Sequence, residues 1–205
     1  KLRDSWESLE DYQKDLKRKY RKRFQKIIGT LDKVTIKKLT LQEIENRKGE
    51  LEALYKNIVR QQVVRLGILN GSYFVQMKQK LQENFNIYAL IENDTQKLIA
   101  FSSHIYYKDS MEIHYIGLDY EYNNEYQLYF NILYHGLEKA IEKKYKKLEL
   151  GRTAKEAKAS MGAEPLENIN YHCVNNIFLA QITDKISKKF ATKTGENWEN
   201  RKPLK

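Results

Sequence analysis

The chain has 205 residues, 41% of them hydrophobic, and carries a formal net charge of +10 from 37 Lys and Arg against 27 Asp and Glu. A chain of this length suits one ordinary domain or two small ones. Its one Cys excludes an internal disulfide, and it has no apolar run of about 18 residues for a bilayer, so disulfide-stapled secreted scaffolds and membrane spans are excluded. We therefore expect a soluble protein of the reducing cytoplasm.

The chain starts at Lys1 with no apolar signal-peptide core behind it, and we interpret it as a piece of a longer protein. Its basic excess is concentrated at the two ends. Such a balance either favours loose association with polyanions such as nucleic acid or is a solvated lysine-rich surface. In neither case does it specify a sequence or a partner.

A long basic amphipathic helix is predicted over residues 1–30. Asp4 or Ser5 is the predicted cap and Gly29 the predicted stop. Its apolar positions recur at spacings of three, four or their multiples: Trp6, Leu9, Leu16, Tyr20, Phe24 and Ile27. Six cations stand among the seven residues 17–23, in the middle of a basic stretch from Lys14 to Lys26. They suit tRNA phosphates or anionic lipid, or they are the wet face of a helix between two domains.

The next part of the chain mixes helical and β patterns. Residues 34–39 alternate as a short strand, residues 41–65 have helical spacing, and Ser72 can cap a third helix that ends near Leu81. Three β-rich runs then follow with turn-length spacers, at 85–91, 98–107 and 111–117. This spacing predicts an antiparallel meander.

The last third returns to helical spacing at 126–144, then gives a strand at 147–150 that ends at Gly151 and a short helix at 153–160. A further strand at 166–174, a helix at 176–190 and a polar, frayed end complete the chain. The order predicts an α/β (α+β) fold with helices flanking a mixed sheet. We divide it into a leading helix (1–30), a sheet domain (31–190) and a tail (191–205).

This order of elements resembles the GNAT acyltransferase fold, whose sheet is mixed and mainly antiparallel. Four strings resemble its Fem-type, peptidoglycan-biosynthesis branch: Tyr20-Arg21-Lys22-Arg23, Tyr115-Ile116-Gly117-Leu118-Asp119, Gly151-Arg152-Thr153-Ala154, and Lys158 followed by Gly162-Ala163. The resemblance covers about residues 5–190. It implies the second of two tandem domains, joined by the leading helix to an upstream domain that is missing from this chain.

The segment after the third meander strand departs from ordinary members of the superfamily, which carry a glycine-rich loop there that holds the CoA pyrophosphate. Residues 119–126 contain no glycine and three acidic side chains. The same loss is a feature of the Fem-type branch, whose members use aminoacyl-tRNA. The resemblance therefore implies aminoacyl-tRNA as the donor, with acyl-CoA as the alternative.

Acyl transfer to an amine needs one group that takes the amine proton and another that stabilises the developing oxyanion. Lys158 occupies a position similar to the Fem-type lysine that lies against the acyl carbonyl; the alternative is one more exposed lysine. His114 and Asp119, near the end of the third meander strand, are the candidates for the base. Alternatively, His114 lines a sheet face and Asp119 caps the next helix.

Arg152 and Thr153 directly follow the strand at 147–150 and, with Lys155, suit a phosphate or carboxylate of the substrate. The alternative for Arg152 is an ion pair with Glu149 or Glu156. Three tyrosines are candidates to line the pocket, or else pack in the core: Tyr115, Tyr126 and Tyr129.

Other kinds of site have weak signals. Cys173 is interpreted as a buried thiol, the four His residues lack metal-ligand spacing, and no P-loop or Rossmann glycine pattern occurs, so no metal site is predicted. Three functions remain. The first is a Fem-like transferase that moves an acyl or aminoacyl group to an amine of a cell-envelope or polysaccharide precursor. The others are an acyl-CoA-dependent N-acyltransferase and a non-catalytic module of the same fold that binds a glycan or nucleic acid.

Overall fold

The computed structural model describes residues 1–61, 67–166 and 201–205. Its centre is a five-stranded sheet in which the strands lie side by side in chain order. The first four strands are antiparallel and the fifth is parallel to the fourth. The strands are β1 (Val34–Lys38), β2 (Phe85–Glu92), β3 (Leu98–Tyr107), β4 (Ser110–Leu118) and β5 (Lys147–Glu149). The predicted mixed, mainly antiparallel sheet and its meander are confirmed.

Helices cover both faces of the sheet. They are α1 (Leu9–Asp15), α2 (Arg18–Ile28), α3 (Leu41–Asn46), α4 (Lys48–Arg60), α5 (Gly71–Leu81), α6 (Tyr120–Tyr126), α7 (Leu128–Glu142) and α8 (Lys155–Ala159). One core lies between the sheet and α1, α2 and α7, and a second lies between the sheet and α3, α4 and α5. No helix among the described residues is long and apolar enough to cross a membrane.

The leading helix is two helices rather than one, because the chain leaves helical geometry at Leu16 and Lys17. Ser8, not Asp4 or Ser5, caps α1 through a reciprocal capping box with Asp11. Beyond the break, the Arg21 guanidinium donates to the Gln13, Lys14 and Leu16 carbonyls. These bonds satisfy carbonyls that the end of α1 leaves without helical partners.

Residues 201–205 pair with this break, so the prediction of a frayed end is wrong for this segment. Leu204 forms a β-bridge with Leu16, the Lys17 N–H donates to the Pro203 carbonyl at 2.8 Å, and the Lys205 N–H donates to the Asp15 carbonyl at 2.9 Å. An apolar pair in a polar sequence therefore orders the segment. Most of the strand predicted at 166–174, including Cys173, and the helix predicted at 176–190 lie outside the described residues.

Both N-terminal helices pack into the body of the domain. Tyr12 of α1 is fully buried, and its ring meets the rings of Phe24 in α2 and Tyr134 in α7. Aromatic pairs in these tilted and edge-on geometries add to the stabilisation from buried apolar area. The buried side of α2 therefore faces the core, and its other side faces solvent.

Two further predicted segments are divided differently. The segment predicted as one helix over 41–65 is interrupted at Arg47, which separates α3 from α4. The segment after β4 forms the short helix α6, which Asp119 caps. The predicted helix over 126–144 begins as α7 only after Gln127, whose left-handed backbone, with φ of 47°, separates it from α6. The helix cap was the alternative interpretation of Asp119.

Candidate functional site

Strand β5 pairs along its whole length with only the first three residues of β4. The parallel register joins Ser110 to Lys147, Met111 to Leu148 and Glu112 to Glu149, where β5 ends. Among the described residues, β4 continues to Leu118 without a partner on that side. The carboxyl ends of neighbouring parallel strands are the usual location of ligands in α/β sheets. The second half of β4 and the turn after Glu149 are therefore the place to look for a site.

An extra residue in β4 shapes this edge. Ser102 of β3 is opposite Ile116, whereas His104 is opposite Ile113, so three steps on β4 match two on β3. Such a bulge breaks the alternation of side chains. As a result His114 and Tyr115, although consecutive, both contact the ring of Tyr73 on α5. The Ser103 hydroxyl bonds both the N–H and the carbonyl of Tyr115 and so stabilises the bulge.

His114 lies in a chain of hydrogen bonds. Its Nδ1 is 3.3 Å from Glu112 Oε1, and its Nε2 is 2.8 Å from the Tyr73 hydroxyl. A carboxylate only accepts, so Nδ1 carries the proton and Nε2 accepts from Tyr73. Burial raises the pKa of the Tyr73 hydroxyl, which therefore stays neutral and remains a donor. This arrangement holds an imidazole with its basic nitrogen fixed in direction.

Aromatic rings surround the hydrogen-bonded residues Tyr73, His114 and Glu112. Tyr115 packs edge-on against Tyr55 of α4, with ring centroids 5.4 Å apart, and against Tyr73 at 5.8 Å. Sequence reasoning missed Tyr55, Tyr73 and Glu112. The alternation of Glu112 and His114 along one strand is a signal that could have paired those two, but no local pattern indicates that a tyrosine from α5 reaches them.

Lys158 lies on α8, beyond the end of β5, and is 7% exposed, so it is not one more surface lysine. Its ammonium donates to the Gly151 carbonyl at 3.2 Å and to the Thr153 carbonyl. Burial lowers its pKa to about 8, because a charged amine is poorly solvated there. An ammonium has three hydrogens, and these two bonds, the ones recorded among the described residues, leave one for a ligand.

Helix α8, which carries Lys158, is fixed in place by contacts with residues of other elements. The Tyr12 hydroxyl of α1 donates to the Met161 carbonyl at 3.1 Å. Arg201 forms an ion pair with Glu156 of α8, and Leu204 lies over Gly162, which directly follows this turn. The short helix α8 is thus clamped by elements from both ends of the chain.

The three donor-binding candidates lie around Lys158. Arg152, Thr153 and Lys155 are exposed, and the Thr153 carbonyl is one of the two that bind the Lys158 ammonium. The alternative partners of Arg152 are otherwise engaged: Glu149 pairs with Lys147 at 2.7 Å, and Glu156 with Arg201. The structure records no side-chain hydrogen bond or ion pair for Arg152 within the described ranges.

The remaining candidates lie elsewhere. Asp119 caps α6 by accepting from the Glu121 N–H and pairs with Lys97 at 2.9 Å. Tyr126 is buried against Tyr122, and its carbonyl accepts from Thr30 beside α2. Burial raises the pKa of Tyr129 to about 12, as for a tyrosine packed in the core. These three side chains satisfy the structural alternatives given for them.

Lys158 lies on α8, and the turn that follows this helix meets Tyr12 of α1, whereas His114 lies on β4 and meets Tyr73 of α5. No hydrogen bond, ion pair or ring contact joins Lys158 to His114 in the described part of the chain. Each has its own supporting residues, so a ligand between them would have to complete the site. Searched over the same residues, the structure shows no group of three His, Cys, Asp or Glu side chains that could hold a metal ion.

Comparisons with known proteins agree with this fold. An aminoglycoside acetyltransferase from an uncultured soil metagenomic sample, solved with sisomicin, is 11% identical, with a TM-score of 0.51 over 70% of this chain and 98% of its own. The glucosamine-6-phosphate N-acetyltransferase of Arabidopsis thaliana is 14% identical, with a TM-score of 0.51 over 70% of this chain and 99% of its own. At such identities the likeness shows the fold, which is that of the GNAT acetyltransferases.

A search of curated protein sequences gives no match. A family model does match, over residues 2–205, and its description is peptidoglycan biosynthesis/recognition. This match spans nearly the whole chain. The chain belongs to the FemAB-like family, on a GNAT fold.

Proposed function

We propose that this chain is an N-acyltransferase domain that moves an aminoacyl group from aminoacyl-tRNA to an amine. The observation that carries the proposal is Lys158: a buried ammonium bound to two turn carbonyls at the carboxyl end of β5. A charge is rarely buried in this way without a partner or a task. Family membership makes acyl transfer the task that fits best.

Lys158 is the proposed electrophilic group. When an amine attacks an ester carbonyl, the carbonyl oxygen gains negative charge, and a fixed cationic donor lowers the energy of that state. Two hydrogen bonds to Gly151 and Thr153 hold the ammonium in place. The remaining hydrogen is the one that would meet the oxyanion. Arg152, Thr153 and Lys155, exposed on the same turn, would meet the donor's phosphate.

His114 is the proposed base. Its Nε2 accepts the amine proton while Glu112 stabilises the imidazolium from Nδ1. The new C–N bond forms, the ester C–O bond breaks, and the proton returns from His114 to the ribose oxygen that leaves. Tyr73 occupies Nε2 in the present structure, so its hydroxyl has to turn aside or relay the proton. Tyr115 would then flank the acceptor.

The donor is assigned from the start of α6. In a CoA enzyme the pyrophosphate binds free backbone N–H groups at this position. Here the Asp119 carboxylate already accepts from the Glu121 N–H, and its negative charge opposes a phosphate. A tRNA ester needs no pyrophosphate cradle. Acyl-CoA remains the second candidate, because the acetyltransferases with this fold match over nearly their full length.

The acceptor is proposed from the family alone: an amine of a cell-envelope or polysaccharide precursor in the cytoplasm. A second domain of the same kind, as the tandem arrangement of the resemblance implies, would complete the acceptor site. A non-catalytic module that keeps the fold to bind glycan is the rival from another class. The buried, desolvated Lys158 favours the enzyme over that module.

Thermal unfolding with ligands tests the donor. The purified chain is melted with acetyl-CoA, with charged tRNA and with uncharged tRNA, since a ligand at 100 times its Kd adds about 2.7 kcal/mol of stability. Salt-sensitive stabilisation by tRNA alone supports the proposal. Saturable stabilisation by acetyl-CoA overturns the donor assignment.

A substitution tests the reaction. Lys158→Met should abolish transfer while the folded state is kept, and Lys146→Met, which changes an exposed lysine before β5, is the matched control. Full transfer by Lys158→Met would remove the proposed role of the ammonium.

A further inference from the structure

One side of α2 is a continuous row of cations. Arg18, Lys22 and Lys26 recur every four residues, and Lys19 lies next to them, so all four project within about 100° of the helix circumference. The row extends about 12 Å at a rise of 1.5 Å per residue. All four side chains are exposed. We call these four residues the basic ridge.

The ridge differs from three other cations of the same segment, Lys14, Arg21 and Arg23, which have structural tasks. Arg21 caps the end of α1, Arg23 stacks on Phe130 with its guanidinium 4.6 Å from the ring centroid, and Lys14 pairs with Asp11. For the four ridge side chains the structure records no hydrogen bond and no ion pair within residues 1–61, 67–166 and 201–205. The fold therefore does not use them.

The charges of the basic ridge also destabilise helix α2, which carries them. Helix α2 has no acidic residue, and Arg18 and Lys19 stand at its N-terminal, positive end. Arg18 and Lys22 repel each other one turn apart, as do Lys22 and Lys26. Several lysines elsewhere are paired with carboxylates, as in Lys37–Glu43, Lys56–Glu52 and Lys147–Glu149. An arrangement that disfavours its own helix needs a reason outside the fold.

We propose that the basic ridge is a docking surface for the phosphate backbone of tRNA. A straight row of unpaired cations is complementary to a linear polyanion, and phosphate contacts of this kind need no base recognition. The inference rests on the proposed function in taking tRNA as the RNA. The proposal adds a position for the body of that tRNA. It would lie on the side of the domain formed by α2, away from Tyr73 and from the face covered by α4 and α5.

An anionic bilayer fits this surface less well. Helices that lie in a membrane interface insert their apolar side among the acyl chains. The apolar side of α2 is buried in the protein, with Phe24 4% and Ile27 3% exposed. The exposed side has no aromatic residue to anchor at a lipid surface. Only charge attraction would remain, and it does not explain a single straight row.

The test compares two fourfold variants of equal charge. The ridge variant carries Arg18→Gln, Lys19→Gln, Lys22→Gln and Lys26→Gln. The control carries Lys33→Gln, Lys80→Gln, Lys144→Gln and Lys146→Gln, which removes four exposed lysines from other surfaces. Binding of uncharged tRNA is measured from low to moderate salt. We expect the ridge variant to lose most of its affinity at low salt and the slope of log K against log salt to fall by about 3 to 4.

The control variant should keep the wild-type slope. Since the ridge residues repel one another, the ridge variant should melt no lower than wild type, so that lost binding is not lost folding. Equal binding by both variants overturns the proposal, as does a wild-type chain that binds no tRNA. Binding to phosphatidylserine vesicles, but not to tRNA, through the same four residues would assign the surface to a membrane instead.

Failure of the ridge and failure of the proposed function give different results. If the ridge variant binds tRNA like wild type while Lys158→Met loses transfer, only the docking surface is wrong. If the ridge variant loses tRNA binding while Lys158→Met retains transfer, the docking surface stands and the assignment of Lys158 is wrong.

Discussion

Leu204 lies directly over Gly162, so close that a β-carbon on the glycine would stand 2.8 Å from Leu204 Cδ1. Gly162 also has φ of +90°, a backbone conformation that favours glycine. Four residues before it, Lys158 is buried beneath the turn that this contact closes. The contact thus joins the end of the described chain to the lysine of the candidate site.

Gly162→Ala should loosen the turn around Lys158. Steric conflict with Leu204 and the left-handed backbone should together lower the free energy of unfolding by about 1–3 kcal/mol. As α8 moves outward, the Lys158 pKa should rise from about 8 toward the ordinary value for lysine. Acetic anhydride labelling of Lys158 against pH, read by mass spectrometry, measures that pKa. Leu204→Ala tests the same contact without backbone strain, and Lys202→Ala is the control; an unchanged labelling profile in both test variants would contradict this coupling.

Stability should increase with pH where Lys158 loses its proton. The folded pKa of about 8 lies below the unfolded value near 10.5, so between these values the unfolded chain binds more protons. Raising the pH from 7 to 9.5 should therefore stabilise wild type relative to Lys158→Met by on the order of 1–2 kcal/mol. Urea unfolding of both proteins at the two pH values checks this. A parallel response in both proteins would mean that Lys158 is solvated.

Tyr73→Phe should separate the task of the hydroxyl from that of the ring. It keeps the ring contacts with His114 and Tyr115 but removes the hydrogen bond to His114 Nε2. We expect a loss of about 1 kcal/mol in stability, since a partly buried acceptor loses its partner. Transfer from aminoacyl-tRNA should change by an order of magnitude in either direction, depending on whether the hydroxyl relays the proton or blocks Nε2. Transfer at the wild-type rate would exclude both roles.

The strands were predictable because their alternation and turn-length spacers are local. The meander at 85–118 was found nearly to the residue, since apolar and aromatic runs are separated by turns such as 93–97. The break at Leu16 could not be found in this way. It depends on Leu204, 188 positions along the chain, and on Arg21, which resembles a surface cation in the sequence.

The candidate site was only half predictable for the same reason. Lys158 and the turn at 151–153 are close in sequence, and their motif spacing indicated them. His114 faces α5 by ordinary alternation with Glu112, but only the bulge in β4 brings Tyr115 to the same side, beside Tyr73. A bulge is a feature of the register between two strands, and one strand's sequence does not specify it. Asp119, which sequence reasoning also took as a base, is held by its cap and by Lys97.

A buried pair of histidines should make the fold sensitive to acid. His135 of α7 and His104 of β3 have ring centroids 5.9 Å apart, and in both the Nδ1 atom has no hydrogen-bond partner among the described residues. Burial lowers the pKa of His135 to about 3, and burial together with His135 and Lys139 lowers that of His104. Tyr88 packs against both rings, so neither can turn to water without disturbing the core.

Because these folded pKa values lie below the unfolded value of about 6.5, their contribution to stability is complete above pH 6.5 and is lost as the pH falls. His135→Phe keeps the size of the ring but does not titrate. Between pH 7 and 4.5 it should lose about 2–3 kcal/mol less stability than wild type. Urea unfolding at both pH values measures the difference. If His135→Phe loses as much stability as wild type over this interval, protonation of His135 is not what makes the domain acid-sensitive.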